Sequence, residues 1–244
     1  MAFSLEIMSA DEVRQTSESF ESAKLDTILP WAWNTFGSKA AIGTSFQGAG
    51  LVMIHHAVQL GLPFPVFTLN TGLLFPETVA LKKRLEDFFQ IDIESLLPVQ
   101  TVAEQAAELG DKLWETQPDT CCYLRKVAPL QQKLTQLEVW ITGLRRQQSE
   151  TREKTRILEL YKFDVLRDAY ILKLNPMANW KREEVWEYLH ENKIPYNPLH
   201  DRGYHSIGCW PCTKASSGDN ERAGRWTGFD KAECGIHTFL GESI

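Results

Sequence analysis

The chain predicts an α/β fold built on a doubly wound, mainly parallel sheet, with an irregular C-terminal appendage. Three observations predict it. Short apolar runs alternate with stretches of helical periodicity, which is the pattern of parallel strands joined by crossover helices. Turn sequences rich in Gly, Ser and Asn follow the first two of these runs. Beyond Pro195 the composition shifts to Gly, His, Cys, Arg and Trp with little periodicity.

Taken in order, residues 10–35 carry apolar positions at helical spacing and end near Trp31 and Trp33, an amphipathic helix or helix pair. Residues 39–44 (KAAIGT) read as a buried strand, which the turn from Ser45 to Gly50 feeds into an apolar helix over 51–60. Residues 64–69 (FPVFTL) form a second buried strand, closed by Asn70, Thr71 and Gly72. A helix follows over 76–90, with Pro76 suited to its first position. Further strands are expected at 91–97, 139–142 and 170–174, alternating with helical stretches at 101–109, 122–136 and 180–192. In such sheets ligands collect beyond the carboxyl ends of the strands, so the turns at 45–50, 69–72 and 143–152 are expected to converge on one site. Residues 195–244 read as a functional appendage with a mobile tail.

At 244 residues, with 43% hydrophobic residues and eight Trp, the chain suits one core with appendages better than two balanced domains. The first thirty residues mix charges with apolar positions and sustain no apolar run. Neither a signal peptide nor a membrane span is expected, and the cytoplasm is the default location. A formal net charge of -6 gives no general attraction to nucleic acid, although local Arg and Lys can still hold a small anion.

Five cysteines in such a chain favour metal or redox roles over a disulfide framework. Cys209 and Cys212 form a C-x-x-C pair, and Cys121 and Cys122 are adjacent at a helix start. Four thiolates complete either a tetrahedral zinc ion or a cubane iron-sulfur cluster. Adjacent side chains converge poorly on one small ion and reach separate corners of a cubane more easily, which favours the cluster. The bland alternative is two small buried residues and a redox dithiol. Cys234, in the sequence ECGIH near the chain end, suits a nucleophile that enters a pocket and is then presented to a reductant; a free surface thiol is its alternative. His237 has the chemistry to lower the pKa of that thiol, or is merely structural.

Ser45–Gly50 sits where a strand feeds a helix N-terminus, a place receptive to phosphate, yet it matches neither a Walker A loop nor a Rossmann fingerprint. Residues 143–152 concentrate Arg145, Arg146 and Arg152 among hydrogen-bonding side chains, and residues 221–226 (ERAGRW) repeat that chemistry. Guanidinium forks match phosphate and sulfate oxygens.

With these residues in hand the sequence resembles the assimilatory adenylyl-sulfate reductases, relatives of phosphoadenylyl-sulfate reductase within the adenine nucleotide alpha-hydrolase-like fold. The resemblance runs from about Gly43 to His237 and rests on TSFQGAG at 44–50, TLNTG at 68–72, CCYLRK at 121–126, TGLRRQQSETR at 142–152, GCWPC at 208–212, ERAGRW at 221–226 and ECGIH at 233–237. It implies a nucleotide seated over Ser45, Gln47 and Gly48, with adenine near Leu69 and Gly143. Lys126, Arg152, Arg222 and Arg225 would hold the phosphosulfate, and Cys121, Cys122, Cys209 and Cys212 a [4Fe-4S] cluster. By the same likeness Cys234 attacks the sulfur, AMP leaves, and thioredoxin or a similar dithiol reductant releases sulfite from an S-sulfocysteine. The chain departs from the family's usual pattern at Gly50, where an acidic residue is common, and at Asn70, where Asp is.

The expected organisation is therefore a nucleotide- and cluster-binding domain over 1–214 and a mobile segment over 215–244 that carries the Arg loop and the nucleophile. The nearest alternative is reduction of the 3'-phosphorylated nucleotide, or of both, with Arg145 or Arg146 receiving the extra phosphate. A zinc-stabilised nucleotide-binding or tRNA-modifying protein and a non-enzymatic thiol switch are further alternatives. The sequence leaves a homo-oligomer open.

Overall fold

The computed structural model describes residues 8–217, 220–229, 231 and 233–237. Its centre is a six-stranded sheet in the order β3-β2-β1-β4-β6-β5. The strands are β1 (Ala40–Gly43), β2 (Val66–Leu69), β3 (Ile93–Leu96), β4 (Val139–Thr142), β5 (Leu158–Asp164) and β6 (Ala169–Leu174). The run from β3 to β6 across the sheet is parallel, and β5 lies antiparallel on β6 at one border. β1 sits where the winding reverses, with β2 and β3 on one side and β4 on the other, so the carboxyl ends of β1 and β4 frame the ligand crevice of a doubly wound sheet.

The helices are α1 (Ala10–Ser19), α2 (Leu25–Phe36), α3 (Gly48–Gln59), α4 (Pro76–Phe89), α5 (Val102–Leu109), α6 (Leu113–Thr116), α7 (Pro118–Cys122), α8 (Ala128–Leu134) and α9 (Arg182–Glu191). Local chemistry sets several of their starts. α1 and α5 each begin with a capping box, Ser9 with Glu12 and Thr101 with Glu104, which satisfies backbone donors that the helix leaves open. Pro76 opens α4, and Gln90 in the left-handed region (φ 55°) closes it. Alternate residues of the strands fall into two separate apolar clusters. Ala40, Ile42, Val139 and Ile141 pack with α1–α4 and α9, whereas Ala41, Trp140 and Phe67 pack with Val127, Leu130 and Leu134. Both faces of the sheet are thus covered, which is why its central strands read as unbroken apolar runs.

Two features differ from the expectation. The helix expected over 122–136 is composite, since a π-helical turn (Tyr123–Val127) joins α7 to α8. Pro129 supplies the reason: in a continuous α-helix its ring would press on the Arg125 carbonyl, and the widened turn relieves it. β5 was not expected at all. It pairs Glu159 opposite Lys173 and shifts register between Lys162 and Asp164. Of the expected mobile segment, residues 218, 219, 230, 232 and 238–244 lie outside the described residues. Among the others Trp226 is fully buried. No helix among the described residues is long and apolar enough to cross a membrane.

Candidate active site

The three turns beyond β1, β2 and β4 do converge. Ser45, Gln47, Gly48, Leu69 and Gly143 line a single cavity. The same cavity is also lined by Lys126, Arg152, Arg222, Arg225 and Cys234. The cavity floor is the first turn of α3, whose open backbone N–H groups and dipole favour an anion. Gly143 suits this geometry, because a Cβ there would stand 3.0 Å from the Gly50 nitrogen and crowd the contact between α3 and the end of β4. Gln47 is engaged at both ends of its amide with the Ile207 backbone, at 3.3 Å each, so it clips the strand-end turn to the segment before Cys209. Asn70 accepts from the Gly72 nitrogen at 3.1 Å and shapes the second turn. Buried Arg125 fastens that turn from behind, donating to the Thr71 carbonyl and to Gln105 Oε1 at 2.9 Å.

The cationic wall is assembled from distant segments. Arg152 and Arg222 meet on the carboxylate of Glu233: Arg152 donates to Oε1 at 3.1 Å and to Oε2 at 3.0 Å, and Arg222 to Oε2 at 3.0 Å. Burial and the neighbouring Arg152 pull Arg222 down to about 10, with Glu233 pulling the other way. Arg225 lies 4.4 Å from the Trp226 ring centroid and against Gly208, where any side chain would collide with its guanidinium. Arg145, which also lines the cavity, and Arg146 are the residues proposed to receive an extra phosphate, and both are ion-paired. Arg145 grips Glu221 at 2.7 Å through both carboxylate oxygens, and Arg146 grips Glu21 at 2.7 and 2.9 Å.

All five cysteines are free thiols, and Cys121, Cys122, Cys209 and Cys212 are buried. Cys121 and Cys122 close α7 and do not stand at a helix start as expected, because Pro118 opens that helix three residues earlier. Cys209 bridges Leu74, and Trp210 donates to the Leu73 carbonyl at 2.8 Å, which lays the C-x-x-C turn along the segment that follows β2. Trp226 donates to the Cys212 carbonyl at 3.0 Å, and the Thr71 hydroxyl lies 3.3 Å from the Cys209 sulfur. Burial raises the Cys121 thiol to about 12, and the three other thiols of the quartet each add to it. Burial, with Cys209, raises Cys212 to about 11. Buried thiols that raise one another in this way are costly to ionise without a cation. Among the described residues no group of three or more His, Cys, Asp and Glu side chains is arranged to hold a single metal ion.

Lys126 links this corner to the cavity. Burial works against its charge, but Cys209, Cys234 and Cys122 outweigh it and hold the ammonium above its ordinary value. Removal from water would raise the Cys234 thiol. Lys126, the Ile236 N–H and Arg225 overcome this and leave it below the ordinary thiol range, while Glu233 opposes them. Of the two expectations for His237, a pKa-lowering neighbour of the thiol or a structural residue, the structural one fits. Burial, then Lys173, Arg152 and Arg222, keep its pKa well below the usual value, so it is neutral. It is stacked on Trp140, with ring centroids 5.1 Å apart and planes 8° from parallel, and Tyr161 donates to the Ile236 carbonyl at 3.3 Å.

Sequence reasoning missed this tail clasp, and it missed the pair beneath it, in which Lys173 lies 3.1 Å from Glu159 with both side chains about 5% exposed or less. The signal for the pair was present as opposite charges facing across β5 and β6, once β5 is recognised from its partly alternating sequence LELYKFD. Nothing local marks Trp140 as the partner of a residue about a hundred positions away.

A phosphoadenosine phosphosulfate reductase domain model matches residues 39–215. The adenosine 5'-phosphosulfate reductase of Salinibacter ruber is 42% identical over 233 residues, covering 94% of this chain and 90% of that protein. The protein of the same name from Streptomyces coelicolor is 40% identical over 225 residues, covering 91% and 92%. Among solved structures, Candida auris phosphoadenylyl-sulfate reductase in a phosphate complex superposes with a TM-score of 0.74 at 28% identity, over 86% of this chain and 98% of that one. Candida glabrata FMN adenylyltransferase, with a TM-score of 0.54 at 12% identity, shares the fold alone. The architecture is the adenine nucleotide alpha-hydrolase-like fold, and the chain belongs to the phosphoadenosine phosphosulfate reductase family.

Proposed function

We infer that the protein reduces adenylyl sulfate to sulfite and AMP in sulfate assimilation and cysteine biosynthesis, with Cys234 as nucleophile. The observation that carries this reading is the placement of Cys234 on the lining of a cavity that also carries Lys126, Arg152, Arg222 and Arg225, with Lys126 and Arg225 lowering its thiol. In this reading adenosine rests on the turns holding Ser45, Gln47, Gly48, Leu69 and Gly143. Lys126, Arg152, Arg222 and Arg225 neutralise the phosphosulfate, without which a thiolate would be repelled by its anionic target.

The Cys234 thiolate attacks the sulfur, the bond from sulfur to the phosphate oxygen breaks, and AMP leaves with the electron pair. The enzyme retains an S-sulfocysteine. A dithiol protein, thioredoxin or a similar one, attacks the Cys234 sulfur, sulfite departs, and the second thiol of the reductant resolves the mixed disulfide. The two electrons gained by sulfur thus come from the dithiol, and Cys234 returns as a thiol. Residues 215–244 act as the segment that presents it, in a cytoplasmic enzyme.

Cys121, Cys122, Cys209 and Cys212 would hold a [4Fe-4S] cluster: the donors are four, all sulfur and buried, and the other three each raise the Cys121 thiol. When bound, the cluster supplies a charged inorganic centre beside Lys126. Reduction of the 3'-phosphorylated nucleotide is the alternative; the likeness over most of the chain to proteins named adenosine 5'-phosphosulfate reductase favours adenylyl sulfate.

The test is anaerobic protein assayed for iron, sulfide and sulfite release from adenylyl sulfate with thioredoxin, beside the Cys234→Ser variant. The expected result is iron in both, product only from the wild type, and labelled sulfur trapped on Cys234. Zinc in place of iron would overturn the cluster assignment, and continued product from Cys234→Ser would overturn the nucleophile. Comparing kcat/KM for the two nucleotides decides the substrate.

A further inference from the structure

The carboxylate of Glu233 occupies the arginine pair that the proposed function gives to the phosphosulfate. It is 9% exposed, gripped through both oxygens by Arg152, shared with Arg222 at 3.0 Å, and approached by the Thr151 hydroxyl at 3.4 Å. Fork-to-fork guanidinium contacts with a shared oxygen are how a sulfonate or phosphate face is held. Burial and the nearness of Arg152 to Arg222 make an anion between them necessary: two guanidinium groups taken from water repel each other unless one is present.

We propose that Glu233 is a tethered stand-in for the substrate's anion, a positioning and specificity residue that neutralises Arg152 and Arg222 until a phosphosulfate displaces it. The proposal rests on the reading that this arginine pair holds substrate. Two things follow from its place in the chain. Glu233 precedes Cys234, so seating the carboxylate docks the tail and sets the thiol beside Lys126 and Arg225 before any ligand arrives. The exchange also imposes a threshold. A ligand must bring both an anion for the arginines and an anchor for the strand-end turns to outcompete a carboxylate held at high effective concentration. Adenylyl sulfate meets both requirements, whereas inorganic sulfate lacks the anchor.

The experiment measures equilibrium binding of adenylyl sulfate and of inorganic sulfate to Cys234→Ser protein, which cannot turn over, with Glu233 intact or replaced. An internal competitor lowers apparent affinity by the fraction of sites it leaves open, so Glu233→Gln is expected to tighten both ligands by about tenfold. Glu233→Asp, which keeps the charge with a shorter reach, is expected to fall between wild type and Gln. Arg222→Ala is expected to weaken adenylyl sulfate. A purely structural Glu233 would produce the opposite sign on replacement. Unchanged or weaker binding in Glu233→Gln, with Arg222→Ala weakened, overturns the proposal and leaves the arginine assignment standing. If neither Arg152→Ala nor Arg222→Ala affects binding, both fall together.

Discussion

At the residue scale the proposed chemistry rests on how burial and charge act on Cys234 and its neighbours. The thiol lies below its ordinary range because Lys126, the Ile236 N–H and Arg225 outweigh desolvation. Alkylation of Cys234, followed by peptide mass spectrometry, is therefore expected to titrate at lower pH than a free cysteine, since the thiolate is the reactive form. Lys126→Met is expected to move that midpoint upward. Arg152→Ala removes charge-assisted hydrogen bonds worth about 1.5–3 kcal/mol, so KM for adenylyl sulfate should rise roughly ten- to a hundredfold with a smaller change in kcat. Most of these residues were legible in the sequence, because cysteines and arginines are few and stand in short motifs. Glu233 was not. A carboxylate beside the proposed nucleophile has no local signature, and its meaning comes from arginines 81 and 11 positions away.

At the scale of elements the strand-end turns explain why the cavity forms where it does. Gly143 permits β4 and the first turn of α3 to touch, and a methyl group there overfills the contact. Gly143→Ala is expected to destabilise the protein by about 1–3 kcal/mol, measured by denaturant unfolding, and to weaken nucleotide binding. The Lys173 and Glu159 pair joining β5 to β6 behaves differently, because breaking it strands a buried charge. Lys173→Met should cost about 3–5 kcal/mol, and adding Glu159→Leu should restore most of the loss. Five of the six strands and most of the helices could be read from apolar periodicity, since burial on both faces writes unbroken runs. β5 escaped because this border strand mixes Glu159, Lys162 and Asp164 into its apolar pattern, although Leu158 and Leu160 pack in one apolar cluster and Tyr161 and Phe163 in the other. The π-helical turn escaped because ordinary helical periodicity does not report an added residue per turn, although Pro129 marked its cause.

At the scale of the whole molecule the sheet supplies a rigid floor and the C-terminal tail a cover held by a few side-chain contacts. His237 on Trp140, Ile236 on Tyr161, Glu233 on the arginine pair and Lys231 on Asp119 are the ties. A chain ended after Phe229 is expected to keep its circular dichroism spectrum and cooperative melting, because the main apolar clusters are formed upstream, and to release no sulfite. The sheet's two borders have a consequence of their own. An open strand edge is a template on which another chain can add. Here β3 is only four residues long, with Glu94 tied to Lys133, and β5 breaks register at Lys162 and Asp164, with Lys162 tied to Asp168. Short length on one flank, and kinked, charged backbone on the other, leave no flat apolar ribbon for a foreign strand, so the protein resists edge-to-edge aggregation when concentrated.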